Sequence, residues 1–191
     1  SDTTKGDSIL VNFAVSATGT PTASDGEHKK GGIYIYAGDD VTVPEGVTVT
    51  AASDLVIAGD VDSTDDDGAD IVIEGILKAQ AGSITLRGGV DDDTITTSEG
   101  SLVNARDITI LGQGGGDKVI LDGPTTATDT LKIDGGAGAS EIEINEVASG
   151  ASAVVIQTGS EADTIKTTAK VSGGKLDILT GEGADAHLLL R

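Results

Sequence analysis

The chain has 191 residues, of which 32 are acidic and 12 are Lys or Arg, giving a formal charge of −20. Its only aromatic residues are Phe13, Tyr34 and Tyr36, and it lacks Cys, Met and Trp. The length fits one domain or two small ones; the charge argues against nucleic acid or anionic lipid as a partner, and the missing cysteine excludes disulfides, thiol nucleophiles and thiolate metal sites.

With 37% apolar residues the chain is too hydrophobic for a disordered acidic tail. With so few rings, its core must be built from Val, Ile, Leu and Ala. No apolar run approaches the roughly 20 residues of a membrane-spanning helix. The chain starts at Ser1 and shows no signal-peptide pattern, so it reads as a processed form or a piece of something longer. Asp outnumbers Glu by 23 to 9, and there are 28 Gly and 23 Thr, which favours tight turns and short strands over helices.

Residues 1–30 are polar apart from Ile9-Leu-Val-Asn-Phe-Ala-Val15, which reads as a cap or donor strand for the repeat that follows. His28, before Lys29 and Lys30, reads as loop. From residue 31 onward an apolar-x-apolar triplet recurs. It occurs as Ile33-Tyr34-Ile35, Leu55-Val56-Ile57, Ile84-Thr85-Leu86, Ile108-Thr109-Ile110, Leu131-Lys132-Ile133, Val154-Val155-Ile156 and Leu176-Asp177-Ile178. The first residues are 22, 29, 24, 23, 23 and 22 positions apart, and the long step contains an acidic insertion at 60–70. The outer residues of each triplet share one face and the middle residue takes the other.

Seven residues beyond each of the last five triplets stands a small polar residue: Asp93, Asp117, Ser140, Asp163 or Asp185. Two further on stands an aliphatic in Ile95, Val119, Ile142 and Ile165, whereas His187 fills that place in the last repeat. Glycine-rich turns such as Gly112-Gln113-Gly114-Gly115-Gly116 separate the two columns. A third, weaker column is read through Val49, Ile76, Leu102, Val147 and Val171. Three short strands in about 23 residues predict an all-β, right-handed parallel β-helix over 31–191, with seven to eight stacked coils. A spacing of about 4.8 Å per coil makes it a rod roughly 35 Å long.

The unit from Asp107 to Leu121, DITILGQGGGDKVIL, resembles parallel β-helix modules of large secreted bacterial surface proteins and adhesins. That resemblance implies export to the bacterial cell surface and a structural or adhesive role. A looser likeness links the turns at Gly135–Ile142, Thr158–Ile165 and Thr180–Asp185 to the calcium-binding nonapeptides of repeats-in-toxin proteins. Here one such turn falls in every 23 residues, which does not build a continuous calcium ladder.

Two groups of carboxylates are candidate Ca2+ ligands. Asp60, Asp62, Asp65, Asp66, Asp67 and Asp70 lie in eleven residues with Gly68 among them, and calcium takes six to eight oxygens from flexible loops. The ordinary alternative is a solvated acidic loop. Asp91 and Asp93 form the second group, within the run Asp91-Asp92-Asp93. For the turn column as a whole, calcium competes with side-chain capping of backbone N–H groups. Ser140 favours capping, since a hydroxyl replaces a carboxylate more readily in a cap than in a cation site.

Catalytic signals are weak. Arg87, close to Asp91, Asp92 and Asp93, is the best cluster for a carbohydrate-active β-helix, the rival reading, and its ordinary reading is a surface ion pair. His187 reads as a terminal residue, and neither histidine belongs to a nucleophile motif. A threonine ladder for ice, begun by Thr48, Thr50, Thr94 and Thr96, is broken by Glu141 and Glu143. The chain closes on Leu188, Leu189 and Leu190, which suggests that the rod continues or associates end to end through these leucines and the Ile9–Val15 segment. The expectation is a non-catalytic extracellular structural β-solenoid.

Overall fold

A computed structural model describes residues 7–19, 30–61 and 67–189, in which all regular structure is β-strand. The strands are numbered β1 to β20 along the chain, and every pairing between them is parallel. They form three stacks. Face one is an eight-stranded sheet: β1 (Ile9–Leu10), β4 (Val41–Val43), β7 (Asp70–Ile73), β10 (Thr94–Thr97), β13 (Lys118–Leu121), β16 (Glu141–Ile144), β18 (Thr164–Thr167) and β20 (Ala186–Leu189). Face two stacks β2 (Val15–Ala17), β5 (Thr48–Ala51), β8 (Ile76–Ala79), β11 (Leu102–Ala105) and β14 (Thr125–Ala127). Face three stacks β3 (Ile33–Tyr36), β6 (Leu55–Ala58), β9 (Ser83–Arg87), β12 (Asp107–Leu111) and β15 (Thr130–Asp134). The long strands β17 (Ala148–Gln157) and β19 (Val171–Leu179) run through faces two and three in turn, joining them at one end. The result is a β-solenoid of about seven turns.

The interior consists of vertical files of side chains. On face three, Ile35, Ile57, Leu86, Ile110, Ile133, Ile156 and Ile178 are successive register partners. Ile57 through Ile156 in this file are fully buried. The middle residues of the same strands, from Tyr34 and Val56 to Val155 and Asp177, form the outward file and are chemically mixed. On face one, Val41, Ile71, Ile95, Val119, Ile142 and Ile165 stack with almost no exposure. Each coil leaves its inner face bare until the next covers it, so burial and inter-coil hydrogen bonding arise together.

Face two corrects the third column. Its inner file is Val49, Leu77, Val103, Thr125, Ala148 and Val171. Ile76, Leu102 and Val147 stand one residue earlier and turn outward, Val147 with 38% exposure. In Ile76-Leu77 and Leu102-Val103 both neighbours are aliphatic, and in a strand a shift of one residue exchanges inside for outside. Thr97, Thr125 and Thr167 bring hydroxyls into the interior, where Thr97 Oγ1 accepts from the Gly123 N–H at 3.3 Å.

Ile9–Leu10 pairs with Val41–Thr42, and Val15–Ala17 pairs with Val49–Ala51. The segment expected as a cap or donor strand therefore supplies the first rungs of faces one and two. At the far end, His187 is exposed at the inner register position above Ile165, and Leu188 follows the outward file above Lys166. Leu190 lies outside the described residues.

Urea unfolding followed by circular dichroism tests the register. Leu77→Ala is expected to cost ~2–5 kcal/mol as a core cavity. Ile76→Ala, its outward neighbour, should cost less than ~1 kcal/mol. Equal losses would refute the assigned register.

Candidate functional site

The column of small polar residues lies where face three turns into face one. There the turns stack backbone on backbone: Gly114 N donates to Gly89 O at 3.0 Å, Ala137 N to Gln113 O at 2.9 Å, and Gly138 N to Gly115 O at 2.8 Å. Glycine is required by this proximity. A β-carbon on Gly115 would strike the Asp91 carbonyl, and its φ of 74° is unfavourable for other residues.

Each aspartate of the column reaches back to the coil before it. Asp93 Oδ1 accepts from Ala69 N at 2.6 Å, Asp117 Oδ1 from Asp93 N at 2.9 Å, Asp163 Oδ1 from Ser140 N at 2.8 Å, and Asp185 Oδ1 from Asp163 N at 3.1 Å. These N–H groups precede face-one strands and are buried at the corner, where an unpaired donor would be costly. Asp93, Asp117 and Asp163 are no more than 2% exposed. Ser140 replaces carboxylate acceptance with donation: its Oγ gives to Gly135 O at 3.0 Å and Gly138 O at 3.2 Å. The geometry is that of a cap.

The candidate calcium ligands separate. Asp62, Asp65 and Asp66 lie outside the described residues. Asp67 and Asp70 are exposed, and the Asp70 N–H donates to Asp40 Oδ1 at 2.9 Å. Asp60, by contrast, is 3% exposed, with a φ of 43°. Its Oδ2 accepts from Val90 N at 2.8 Å, on the next coil. Asp60 and Asp93 thus belong to distant segments but flank the same Gly88–Gly89 turn. Asp93 Oδ2 accepts from Gly89 N at 2.5 Å, so both Asp93 oxygens are engaged by backbone. Asp91 is half-buried beside it. Among the described residues, no group of three or more His, Asp or Glu is arranged to hold a metal ion.

Burial dominates the electrostatics. It pushes the Asp93 carboxyl above its ordinary range; the N–H groups of Gly89 and Ala69 oppose this, while Asp60 and Asp91 add repulsion. Burial pushes Asp117 further, to about 7, with only the Asp93 N–H in opposition and with Asp93 and Asp92 repelling its charge. Arg87, the cation expected to face these acids, stands over the Tyr36 ring at 5.8 Å.

The other two corners also carry contacts between coils, backbone capping at one and side-chain pairing at the other. Asp54 Oδ1 accepts from Ser83 N at 3.0 Å and Asp107 Oδ1 from Thr130 N at 3.3 Å, both on the following coil. At the third corner, Asn145 Nδ2 donates to Asp122 Oδ1 at 2.9 Å, and Thr168 Oγ1 to Asn145 Oδ1 at 2.8 Å. The available signal was an Asp immediately before an aliphatic triplet, as in Asp54-Leu55 and Asp107-Ile108.

Comparison with protein-family profiles, curated proteins and solved structures finds no match to this chain.

Capping predicts a pattern of substitution effects. Asp163→Ala strands the buried Ser140 N–H and is expected to cost ~1–3 kcal/mol. Asp163→Asn retains the acceptor and should lose much less. Asp70→Ala, at an exposed carboxylate, should stay within ~0.5 kcal/mol. Chemical denaturation of the three variants checks the order.

Proposed function

We propose that this chain is a non-catalytic structural element, a stiff acidic rod of an extracellular bacterial surface assembly. The observation that carries this reading is the continuous parallel pairing of all three faces, from β1–β3 to β19 and β20, with one register shift between Gly150 and Ala153 where β17 passes from face two to face three. The corner aspartates hold backbone N–H groups and Asp122 holds the Asn145 side chain, so their chemistry serves the scaffold. Outward positions carry mixed polar residues and short surface pairs, including Lys118 with Glu141 at 2.8 Å and Lys132 with Asp134 at 3.0 Å. Such pairs add little stability and suit a solvated surface. The setting on a bacterial surface rests on the resemblance of the repeat unit alone.

The rod acts either as a module within a longer stalk or as a subunit of an end-to-end fibre. Apolar surface at both ends supports the fibre. At the first coil, a groove of about 620 Å³ is lined by residues including Ile9, Leu10, Phe13, Val15, Tyr34 and Tyr36. Phe13 is 81% exposed there. At the last coil, Leu176, Leu179 and Leu188 are 46%, 55% and 51% exposed. Face one has eight strands and each of the others seven. A gapless stack would therefore advance by one third of a turn and about 35 Å per copy.

Light scattering against concentration and electron microscopy test the fibre. Association should strengthen with salt, which screens the repulsion between acidic copies, and should be lost in Phe13→Asp and Leu188→Lys. A monomer at every concentration and salt leaves only the stalk module. Turnover of an acidic or neutral polysaccharide, abolished by changing Arg87, would overturn the non-catalytic reading in favour of a carbohydrate-active enzyme.

A further inference from the structure

The aspartate corner contains buried carboxylate oxygens that capping does not explain: Asp60 Oδ1, Asp117 Oδ2 and Asp163 Oδ2 have no hydrogen-bond partner, and the one at Asp117 meets a second acceptor. Asp93 binds backbone N–H groups through both carboxylate oxygens. Asp117, one coil on, does so only through Oδ1. Its Oδ2 is buried and has no hydrogen-bond partner. That oxygen and the Gly135 carbonyl oxygen both crowd the place where a β-carbon on Gly112 would stand. Two acceptors thus occupy one small space at a residue that is 2% exposed. Acceptors face each other stably only when one of them carries a hydrogen.

The next rung shows what the space accepts. Ser140 stands at the same position of the following coil, and its hydroxyl donates to the Gly135 carbonyl at 3.0 Å. A carbonyl oxygen has two lone pairs, so it can take a second donor. We infer that Asp117 is a neutral carboxylic acid in the folded rod, accepting from Asp93 N through Oδ1 and donating from Oδ2 to the Gly135 carbonyl. The corner where β13 follows β10 is then a proton-dependent joint, and it goes beyond the structural role proposed above.

The charged surroundings all favour the neutral form. Asp92 and Asp93 lie on the coil below, with Asp60 and Asp91 flanking Asp93. Ser140, on the coil above, is uncharged. Lys118, next along the chain, pairs outward with Glu141 at 2.8 Å and is not among the groups acting on the acid. Burial holds the carboxyl near 7, against 3.8 for a free aspartate. The folded rod therefore retains a proton that the unfolded chain releases. Stability from this group is complete below the unfolded pKa and is lost as pH rises through the folded one. Above about pH 7 the joint holds a buried anion facing a carbonyl oxygen, and β10 and β13 separate more easily at this corner.

Thermal melts of the whole chain between about pH 5 and about pH 8 test the inference. Wild-type protein should lose melting temperature across this window. Asp117→Asn, whose amide accepts and donates as the neutral acid does, should flatten that slope and melt about 5 °C higher at the alkaline end. Asp117→Ser, which repeats the hydroxyl of Ser140 one rung earlier, is the second variant should the first fail to fold, and it should flatten the slope likewise. Infrared spectra at about pH 6 should show a protonated-carboxyl C=O stretch in wild type that both variants lack. Variants whose melts run parallel to wild type, or a wild-type spectrum without that band, would overturn the inference.

Discussion

Everything in this molecule depends on coil lying over coil in constant register. A single coil cannot bury its aliphatic residues and leaves its strand N–H and C=O groups without partners. Both deficits are removed by the same event, the arrival of the next coil at the inter-strand spacing. The file from Ile35 to Ile178 is the visible result. It also explains the scarcity of aromatic rings: the space between three nearby sheets is filled by side chains the size of Val, Ile and Leu.

Regular strands stop at the corners, and there backbone groups would be buried without partners. The chain meets this with carboxylates. Asp93, Asp117, Asp163 and Asp185 reach back one coil at the corner between faces three and one. Asp54 and Asp107 reach forward at the corner between faces two and three. An aspartate count that invites a calcium reading thus has a second cause, the need for backbone acceptors at two corners of the polygon. Repeating acidic groups in a column concentrates charge, and Asp117 is where that arrangement is most strained electrostatically. Ser140 interrupts the column with a neutral residue one rung later.

As a rod, the protein is defined by what its exterior leaves available. The outward files are mixed, exposed apolar side chains stand on the first and last described coils, and the buried acids of the corner between faces three and one are committed to backbone.

The repeat was legible in the sequence because burial imposes the same two-residue alternation on every coil, and the interval between triplets is the circumference of one turn. Strand positions on faces one and three and the location of the polar column follow from that arithmetic. Face two did not, since Ile76-Leu77 and Leu102-Val103 offer two aliphatic neighbours each and only pairing with adjacent coils selects the inner one. The role of the acids was likewise decided by tertiary structure. Asp60 and Asp70 belong to one acidic run, yet one is buried against the Gly88–Gly89 turn and the other is exposed. Whether a carboxylate meets water or a backbone N–H depends on the height and direction of the neighbouring coil, and a linear pattern carries no information about either.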